Sequence, residues 1–413
     1  MEGSPVIAFI PVTWDNSNQN GIVARESEIP MLIDKIREIT PSIRANAEKA
    51  EVNRAVPPEN IKLLEDIGFF RSLQPRTYGG TELLLSEHAE AIVELAGACA
   101  STAWVGGLLA NHSHGVGLFS SQAQEDVWGE ESKTLISSSV APFGIREKVE
   151  GGIKLSGKFG WSSGCDHAQW AVLGYKDTNE YGQVGPMFAL VPRSDYTILD
   201  DWDTLALSGT GSKTIIVEDA FVPEHRCESL IALNIGVSKG FGSHASGLSY
   251  LPFSPVFSIG FSCVALGIAL RACDVYKEKT RNRVRAYTGA KVVESAPAYM
   301  RLAESINQIT AAHQLLRKDW AEMDDCVNNR IMPTPEHILE WRVHQSYAVK
   351  MSIEAVDRLF AAAGGGSWFR SNEFQRLFRD VHICGSHAQT DFDIASKTYG
   401  HHLMDLPPNS ENY

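Results

Sequence analysis

Histidines and serines, rather than a ready-made nucleophile or phosphate motif, are the chemistry-bearing residues that stand out in this chain. NHSHG at 111–115 carries His112 and His114, and KFGWSSGCDHA at 158–168 places Ser162 and Ser163 directly after Trp161. LISSSVAPFG at 135–144 carries Ser138 and Ser139, while RLFRDVHICGSHAQTD at 376–391 ends in the turn Ser386-His387-Ala388-Gln389. Imidazole suits the polarisation of a substrate OH or NH because its pKa lies near working pH. Each group also has an ordinary reading. Two histidines at i, i+2 on a helix point apart and no carboxylate or cysteine cluster joins them, so no metal site is expected and His114 reads as a packing residue. Ser162 and Ser163 fit strand serines bonded to backbone, and His401-His402 fit surface positions. RNRVR at 281–285 fits a solvated basic face, and AAAGGGS at 361–367 fits a helix C-cap. GTGSK at 209–213 looks like a phosphate loop, but strand-forming Thr214-Ile215-Ile216-Val217 follows where such a loop needs a helix N-terminus. A hairpin turn is expected there. The chain has no GxxxxGKS, HExxH or GxSxG and no dinucleotide fingerprint, so it is not expected to take hydride from NAD(P)H itself.

The elements that must position these residues change character along the chain. Residues 1–27 read as a loosely ordered arm. Residues 28–135 read as an all-helical domain: Ile29, Leu32, Ile33, Ile36 and Ile39 recur on one face with Pro30 in the first turn, Pro57-Pro58 opens a second helix, and a third run covers 86–110. From 136 to 228, β-branched runs alternate with Gly, Asp and Asn turns, the pattern of a compact β-sandwich or barrel. Residues 229–413 return to helices through a polar connector at 238–255, and Val349, Ile353, Val356, Phe360 and Ala363 form one apolar stripe. The chain of 413 residues has surface enough for a large core in two or three domains. Its formal charge of −13 argues against a nucleic-acid or anionic-membrane partner. Seven scattered cysteines without a CxxC fit free thiols in a reducing cytoplasm. No apolar run is expected to span a bilayer, and the N-terminal stretch lacks the basic start of a signal peptide.

The order helical, β, helical bundle, together with the 376–391 turn, resembles the acyl-CoA dehydrogenase fold, an α+β architecture with an N-terminal helical domain, a central β-barrel or sandwich and a C-terminal four-helix bundle. Those dehydrogenases place a glutamate base in the turn; the matching position here is Ala388. Removing an α-proton needs a positioned carboxylate, so the fold is implied and the dehydrogenase chemistry is not. Five motifs in order narrow the resemblance: NHSHG, LISSSVAPFG, KFGWSSGCDHA, RNRVRAYTG at 281–289 and the 376–391 loop. From about residue 28 onward they are similar to the oxygenase component of two-component p-hydroxyphenylacetate 3-hydroxylases, flavin-dependent monooxygenases.

That resemblance implies reduced flavin (FMN or FAD) supplied by a separate NAD(P)H:flavin reductase, O2 as co-substrate, and a C4a-hydroperoxyflavin that hydroxylates a small aromatic. It implies Trp104 and the Trp161-Ser162-Ser163 run against the isoalloxazine, with Ser163 near N5, and Ser138 and Ser139 between flavin and substrate. Arg283 and Tyr287 would hold the flavin phosphate, with Gly365 and Gly366 admitting backbone from a neighbouring subunit of a homo-oligomer, expected to be a tetramer. His387-Ala388 would close over the ring, and His112 and Ser138 would bind the substrate OH or NH. Catalytic roles thus fall to His112, Ser138, Ser163 and His387. Where the family's pattern has an arginine before the long helix this chain has Ser254, and a tyrosine two residues after the loop histidine is replaced by Gln389. Both belong to the substrate end of the pocket. A buried carboxylate without a paired cation is costly, so the expected substrate is a neutral arene, indole or a simple phenol, unless Lys239 or another connector residue compensates. Three rivals stand beside it: p-hydroxyphenylacetate as substrate, an acyl-CoA dehydrogenase-like flavoenzyme with its base elsewhere, and a flavin-binding scaffold without chemistry.

Overall fold

Between Leu32 and Trp128 the chain forms α1 (Leu32–Ala45), α2 (Ala47–Asn53), α3 (Pro58–Asp66), α4 (Leu85–Ala98), α5 (Ala100–Gly117) and α6 (Ser121–Trp128). The computed structural model describes residues 31–178, 182 and 184–406, so the 1–27 arm, Ile29 and Pro30 lie outside the described residues. Leu32, Ile36, Thr40 and Ile43 are the buried stripe of α1, at the spacing of an amphipathic helix. Pro58 stands at the start of α3, where a missing N–H leaves nothing unpaired. The single helical run expected over 86–110 is two helices, because Cys99 is extended (φ −154°, ψ 108°) and redirects α4 into α5. Nothing in the alanine-rich composition marks that break. Every residue of α5 is buried.

Among the described residues seven strands follow: β1 (Ile136–Val149), β2 (Gly152–Ser162), β3 (Trp170–Thr178), β4 (Val184–Pro192), β5 (Tyr196–Leu199), β6 (Lys213–Pro223) and β7 (Cys227–Ser229), in spatial order β5-β6-β2-β1-β3-β4-β7. β1 joins the two halves. Its first residues run parallel to β3, with Ile136 opposite Trp170, and its last residues run antiparallel to β2, with Ile145 opposite Ser156. The register shifts between Ser139 and Gly144, which frees β1 to change partner. Leu155, Phe159 and Ile215 of one half share a core with Leu173, Tyr175 and Val191 of the other. The sandwich expected from sequence is therefore one mixed sheet whose halves close on a common core.

The remaining helices are α7 (Leu230–Ile235), α8 (Phe253–Asn282), α9 (Ala296–Asn329), α10 (Pro335–Ala362), α11 (Glu373–Cys384) and α12 (Phe392–Leu403). α8 packs on α4, α5, α10 and α11 and carries the core between the helical layers. By length and composition α8 would cross a bilayer, which corrects the expectation that no run is apolar enough. Its apolar stretch is nearly all buried against its neighbours, so this is a core helix, and hydropathy alone does not separate the two. On α10, Val349, Val356 and Phe360 are buried as the stripe requires. His401 and His402 are half-buried on α12 rather than on the open surface. The Arg-Asp pair of α11 has a definite task. Asp380 Oδ1 accepts the Leu207 N–H at 2.7 Å, and Arg379 donates to the Leu205 carbonyl, so α11 clamps the loop between β5 and β6. Burial pushes the Asp380 carboxyl up to about 6, against the lowering effect of that N–H.

Candidate active site

His112 lies mid-way along buried α5, and the start of β1 passes beside it. Its Nδ1 is 2.7 Å from the Ile136 carbonyl, and its Nε2 is 2.8 Å from Ser138 Oγ. A carbonyl only accepts, so Nδ1 carries the proton. In a neutral ring Nε2 then accepts, and the Ser138 hydroxyl donates to it. Burial pushes the His112 imidazolium down to about 4, so the ring is neutral at pH 7. This corrects the expectation of a histidine titrating near working pH: complete desolvation disfavours the cation. The same packing stacks the ring on Phe257, with centroids 5.8 Å apart.

Trp104, two turns earlier on α5, donates its indole N–H to Ser163 Oγ at 3.1 Å. Ser163 in turn lies 2.7 Å from Ser212 Oγ, Ser212 lies 2.8 Å from Thr210 Oγ1, and Thr210 donates to the Leu207 carbonyl at 2.8 Å. GTGSK is thus neither a phosphate loop nor a tight hairpin turn. It is the end of a long β5–β6 connection that seats two hydroxyls against Ser163, and sequence pattern gave no sign of it. Ser139 donates to the Gly160 carbonyl at 2.6 Å, while buried Ser162 Oγ has no partner. Trp161 adopts a left-handed backbone (φ 65°), which an indole residue rarely does, and stands 71% exposed against Trp202.

An aromatic wall joins these two polar groups. Phe253, Phe257 and Phe261 recur every fourth residue on α8 and contact one another in turn. Phe261 reaches Trp104 (4.8 Å) and stacks on His387 (4.0 Å, 30°). His387 Nδ1 accepts the Gln389 N–H at 3.2 Å, which leaves the proton of the neutral ring on Nε2. Burial pushes the His387 imidazolium down to about 4. Ala388 is exposed beside it, and the carboxylates of this stretch are engaged elsewhere: Asp380 on Leu207, Asp391 on the Ile394 N–H that starts α12. The structure therefore brings together Trp104, His112, Ser138, Ser163 and His387. The phenylalanines, Ser212 and Thr210 were not anticipated. The i, i+4 spacing of the phenylalanines is the signal in the sequence that could have found them.

Ser254 is half-buried at the start of α8, its N–H on Asn234 Oδ1 at 2.9 Å. Lys239 does not compensate there: its Nζ turns to the Cys227 carbonyl (3.4 Å) and lines a separate cavity beside β2, β3 and β7. On α10, Gln345 approaches the Pro255 carbonyl at 3.5 Å, its own Oε1 is buried without a partner, and Arg342 Nε one turn away is likewise unpartnered. Arg283, Tyr287, Gly365 and Gly366 stand apart from the aromatic wall. About six turns of α8 separate Phe261 from Arg283, roughly 30 Å at 1.5 Å per residue. Arg283 donates to the Ala362 carbonyl at 2.9 Å and, with Arg285 and Arg301, lines a cavity of about 260 Å³. Tyr287 is fully exposed, and a side chain built at Gly365 or Gly366 would meet only open space. Among the described residues no group of His, Cys, Asp and Glu is placed to hold a metal.

Two features leave room for a flavin. Ser163 keeps one lone pair beside Trp104 and its neighbour Ser162 has a buried, unpartnered Oγ, while the bare backbone at Gly365–Gly366, apart from the aromatic wall, admits a group from outside. Comparison with known proteins points the same way. Residues 27–131 match the acyl-CoA dehydrogenase N-terminal domain, and residues 259–392 match the acyl-CoA dehydrogenase C-terminal domain. The chain is 48% identical to the p-hydroxyphenylacetate 3-hydroxylase oxygenase component of Acinetobacter baumannii, over 92% of this chain and 90% of that protein. It is 36% identical to the flavin-dependent monooxygenase oxygenase subunit HsaA of Rhodococcus jostii, over 91% and 98%. The crystal structure of 3-HSA hydroxylase from Rhodococcus sp. RHA1 superposes with a TM-score of 0.87 at 34% identity, over 92% and 98%.

Proposed function

The chain belongs to the oxygenase components of flavin-dependent monooxygenases built on the acyl-CoA dehydrogenase fold, and from that premise we propose how its own residues serve aromatic hydroxylation. It is an enzyme that uses reduced flavin and O2, with the flavin delivered by a separate reductase. When bound, reduced flavin activates O2 and supplies one oxygen atom to the ring. The rest is done by side chains. The substrate ring lies along Phe257 and Phe261, which exclude water and orient it. Its OH or NH donates to Ser138 Oγ, whose own proton is already given to neutral His112 Nε2. That relay draws the substrate proton away from the ring and raises its nucleophilicity without a formal charge in a dry pocket. The single observation that carries this reading is the fixed tautomer of His112, set by the Ile136 carbonyl.

Trp104 and the Trp161-Ser162-Ser163 run face the flavin, Ser138 and Ser139 mark its border with substrate, and His387-Ala388 closes the open side with Nε2–H as donor. Arg283 and Tyr287 hold the flavin phosphate, and Gly365 and Gly366 admit backbone from a neighbouring subunit; the roughly 30 Å of α8 between Arg283 and the aromatic wall supports a site completed between subunits. A homo-oligomer follows, a tetramer in this reading. Buried free thiols at all seven cysteines suit a reducing cytoplasm.

Ser254 in place of an arginine supports a neutral substrate, indole or a simple phenol. One observation favours a second reading, a phenol with an acid tail: the unpartnered cationic donor Arg342 Nε, one turn of α10 from Gln345 and its contact with the Pro255 carbonyl. Competition of p-hydroxyphenylacetate with 4-methylphenol in wild type and Arg342→Met separates the two. Neutral-substrate preference in both proteins supports the first; an acid preference lost only in Arg342→Met supports the second.

A further inference from the structure

We propose that Thr210 and Ser212 are positioning residues that hold Ser163 as a hydrogen-bond acceptor, and that this makes the site take reduced flavin in preference to oxidised flavin. The inference rests on the reading that Ser163 meets flavin N5. Three hydroxyls, Ser163, Ser212 and Thr210, make three contacts of 2.7–2.8 Å along one line that ends on the Leu207 carbonyl. A carbonyl has no proton to give, so Thr210 donates to Leu207. Thr210 can then only accept from Ser212, and Ser212 only from Ser163. All three protons are used, in one direction. Ser163 receives the Trp104 indole N–H on one lone pair and keeps one free.

The surroundings enforce that direction. All three hydroxyl residues are buried, so bulk water does not re-pair them. The glycines of GTGSK are required by space and by backbone: a side chain at Gly209 would strike the Ala50 backbone at 2.9 Å, and Gly211 sits at φ 54°. Asp380 fixes the Leu207 end through its N–H.

Reduced flavin carries a proton on N5 and donates; oxidised flavin has a bare lone pair there and accepts. Reduced flavin therefore gains one hydrogen bond to Ser163 with the chain undisturbed. Oxidised flavin gains a bond from Ser163 only if all three hydroxyls reverse and Thr210 abandons Leu207, so its net gain is none. An oxygenase that must load reduced flavin and discharge oxidised flavin each cycle needs this bias. Removing Thr210 or Ser212 hydroxyl frees one proton in the line. Ser163 can then donate to oxidised N5 at no loss, while its bond from reduced N5 is kept.

The test is anaerobic equilibrium binding of oxidised and of chemically reduced FMN to the flavin-free full chain, with the midpoint potential of the bound flavin as a second readout. Thr210→Val and Ser212→Ala should each tighten oxidised FMN roughly five- to tenfold, the value of one net hydrogen bond, and leave reduced FMN within about twofold. The potential should fall by about 30 mV per tenfold. Ser212→Thr, which keeps the hydroxyl, should restore the wild-type ratio. Ser163→Ala should lower the potential in the same direction by a different route, weakening reduced FMN alone and leaving oxidised FMN unchanged. If Thr210→Val and Ser212→Ala leave the ratio unchanged or weaken both forms equally while Ser163→Ala shifts it, the relay is wrong and Ser163 still meets N5. If Ser163→Ala shifts nothing, the placement of Ser163 fails and this inference fails with it.

Discussion

Replacing His112 by phenylalanine removes the Nε2 acceptor beside Ser138 and the Nδ1–H given to the Ile136 carbonyl, while keeping a ring stacked on Phe257, where the imidazole lies at an angle of 27°. Ser138 then loses the base that takes its proton. The size of the effect follows from the depressed basicity of this ring. A phenol ionises near pH ~10 and the imidazolium near about 4, so full proton transfer before reaction is uphill by roughly 8 kcal/mol. In the proposed relay His112 therefore polarises the substrate through Ser138 without deprotonating it, and its removal should cost about 1–3 kcal/mol, roughly 5- to 150-fold in hydroxylation. The assay is a single turnover with pre-reduced flavin and a pulse of O2, with hydroxylated product weighed against H2O2. Indole and 1-methylindole provide the internal control, since only the first has an N–H to give. Wild type should prefer indole, and His112→Phe should lose the preference. Equal product yields from indole and 1-methylindole in wild type, or a preference that survives the substitution, would refute the relay.

Other expectations follow from single contacts. Ser254→Arg should raise turnover of p-hydroxyphenylacetate relative to 4-methylphenol, and no change in that ratio would separate position 254 from substrate choice. Asp380→Leu strands the buried Leu207 N–H and should cost about 1–3 kcal/mol in denaturant unfolding while weakening both flavin forms; unchanged flavin binding would show that the β5–β6 connection holds itself. Burial pushes His88 and His112 down to about 4, below the ~6.5 of an unfolded chain. Their stabilising effect is complete above pH 6.5 and is lost as pH falls from there toward 4, about 2 kcal/mol for each at pH 5. Equal unfolding midpoints at pH 7 and pH 5 would contradict it.

Much of the fold was legible because its signals are local. Proline at the start of α3, the α1 stripe and the β-branched runs each depend on a few neighbouring residues. What was not legible depends on distant partners. The break at Cys99 has no proline to mark it, and the nearby Gly97 lies inside α4. The apolar length of α8 belongs to either a core or a membrane until its neighbours are known. At the site, motif order pointed to His112, Ser138, Ser163 and His387, but tautomer and basicity come from burial and from the Ile136 carbonyl, which lies 24 residues from His112 in sequence. GTGSK misled because glycines just before a β-branched run suggest a hairpin turn, and their actual use, seating two hydroxyls 49 residues beyond Ser163 at the Ser212 contact, is visible only in space.

The central claim is that this chain places one atom of O2 in a small arene held by His112 and Ser138. The most direct measurement supplies NADH, a flavin reductase, flavin and ¹⁸O2 to the full chain, with indole, phenol and p-hydroxyphenylacetate in one vessel, and reads products by mass spectrometry. A single ¹⁸O in indole or phenol, sharply reduced in His112→Phe, is the predicted result. Unlabelled arenes while reduced flavin is demonstrably consumed, together with bleaching of bound oxidised flavin by an acyl-CoA, would contradict it.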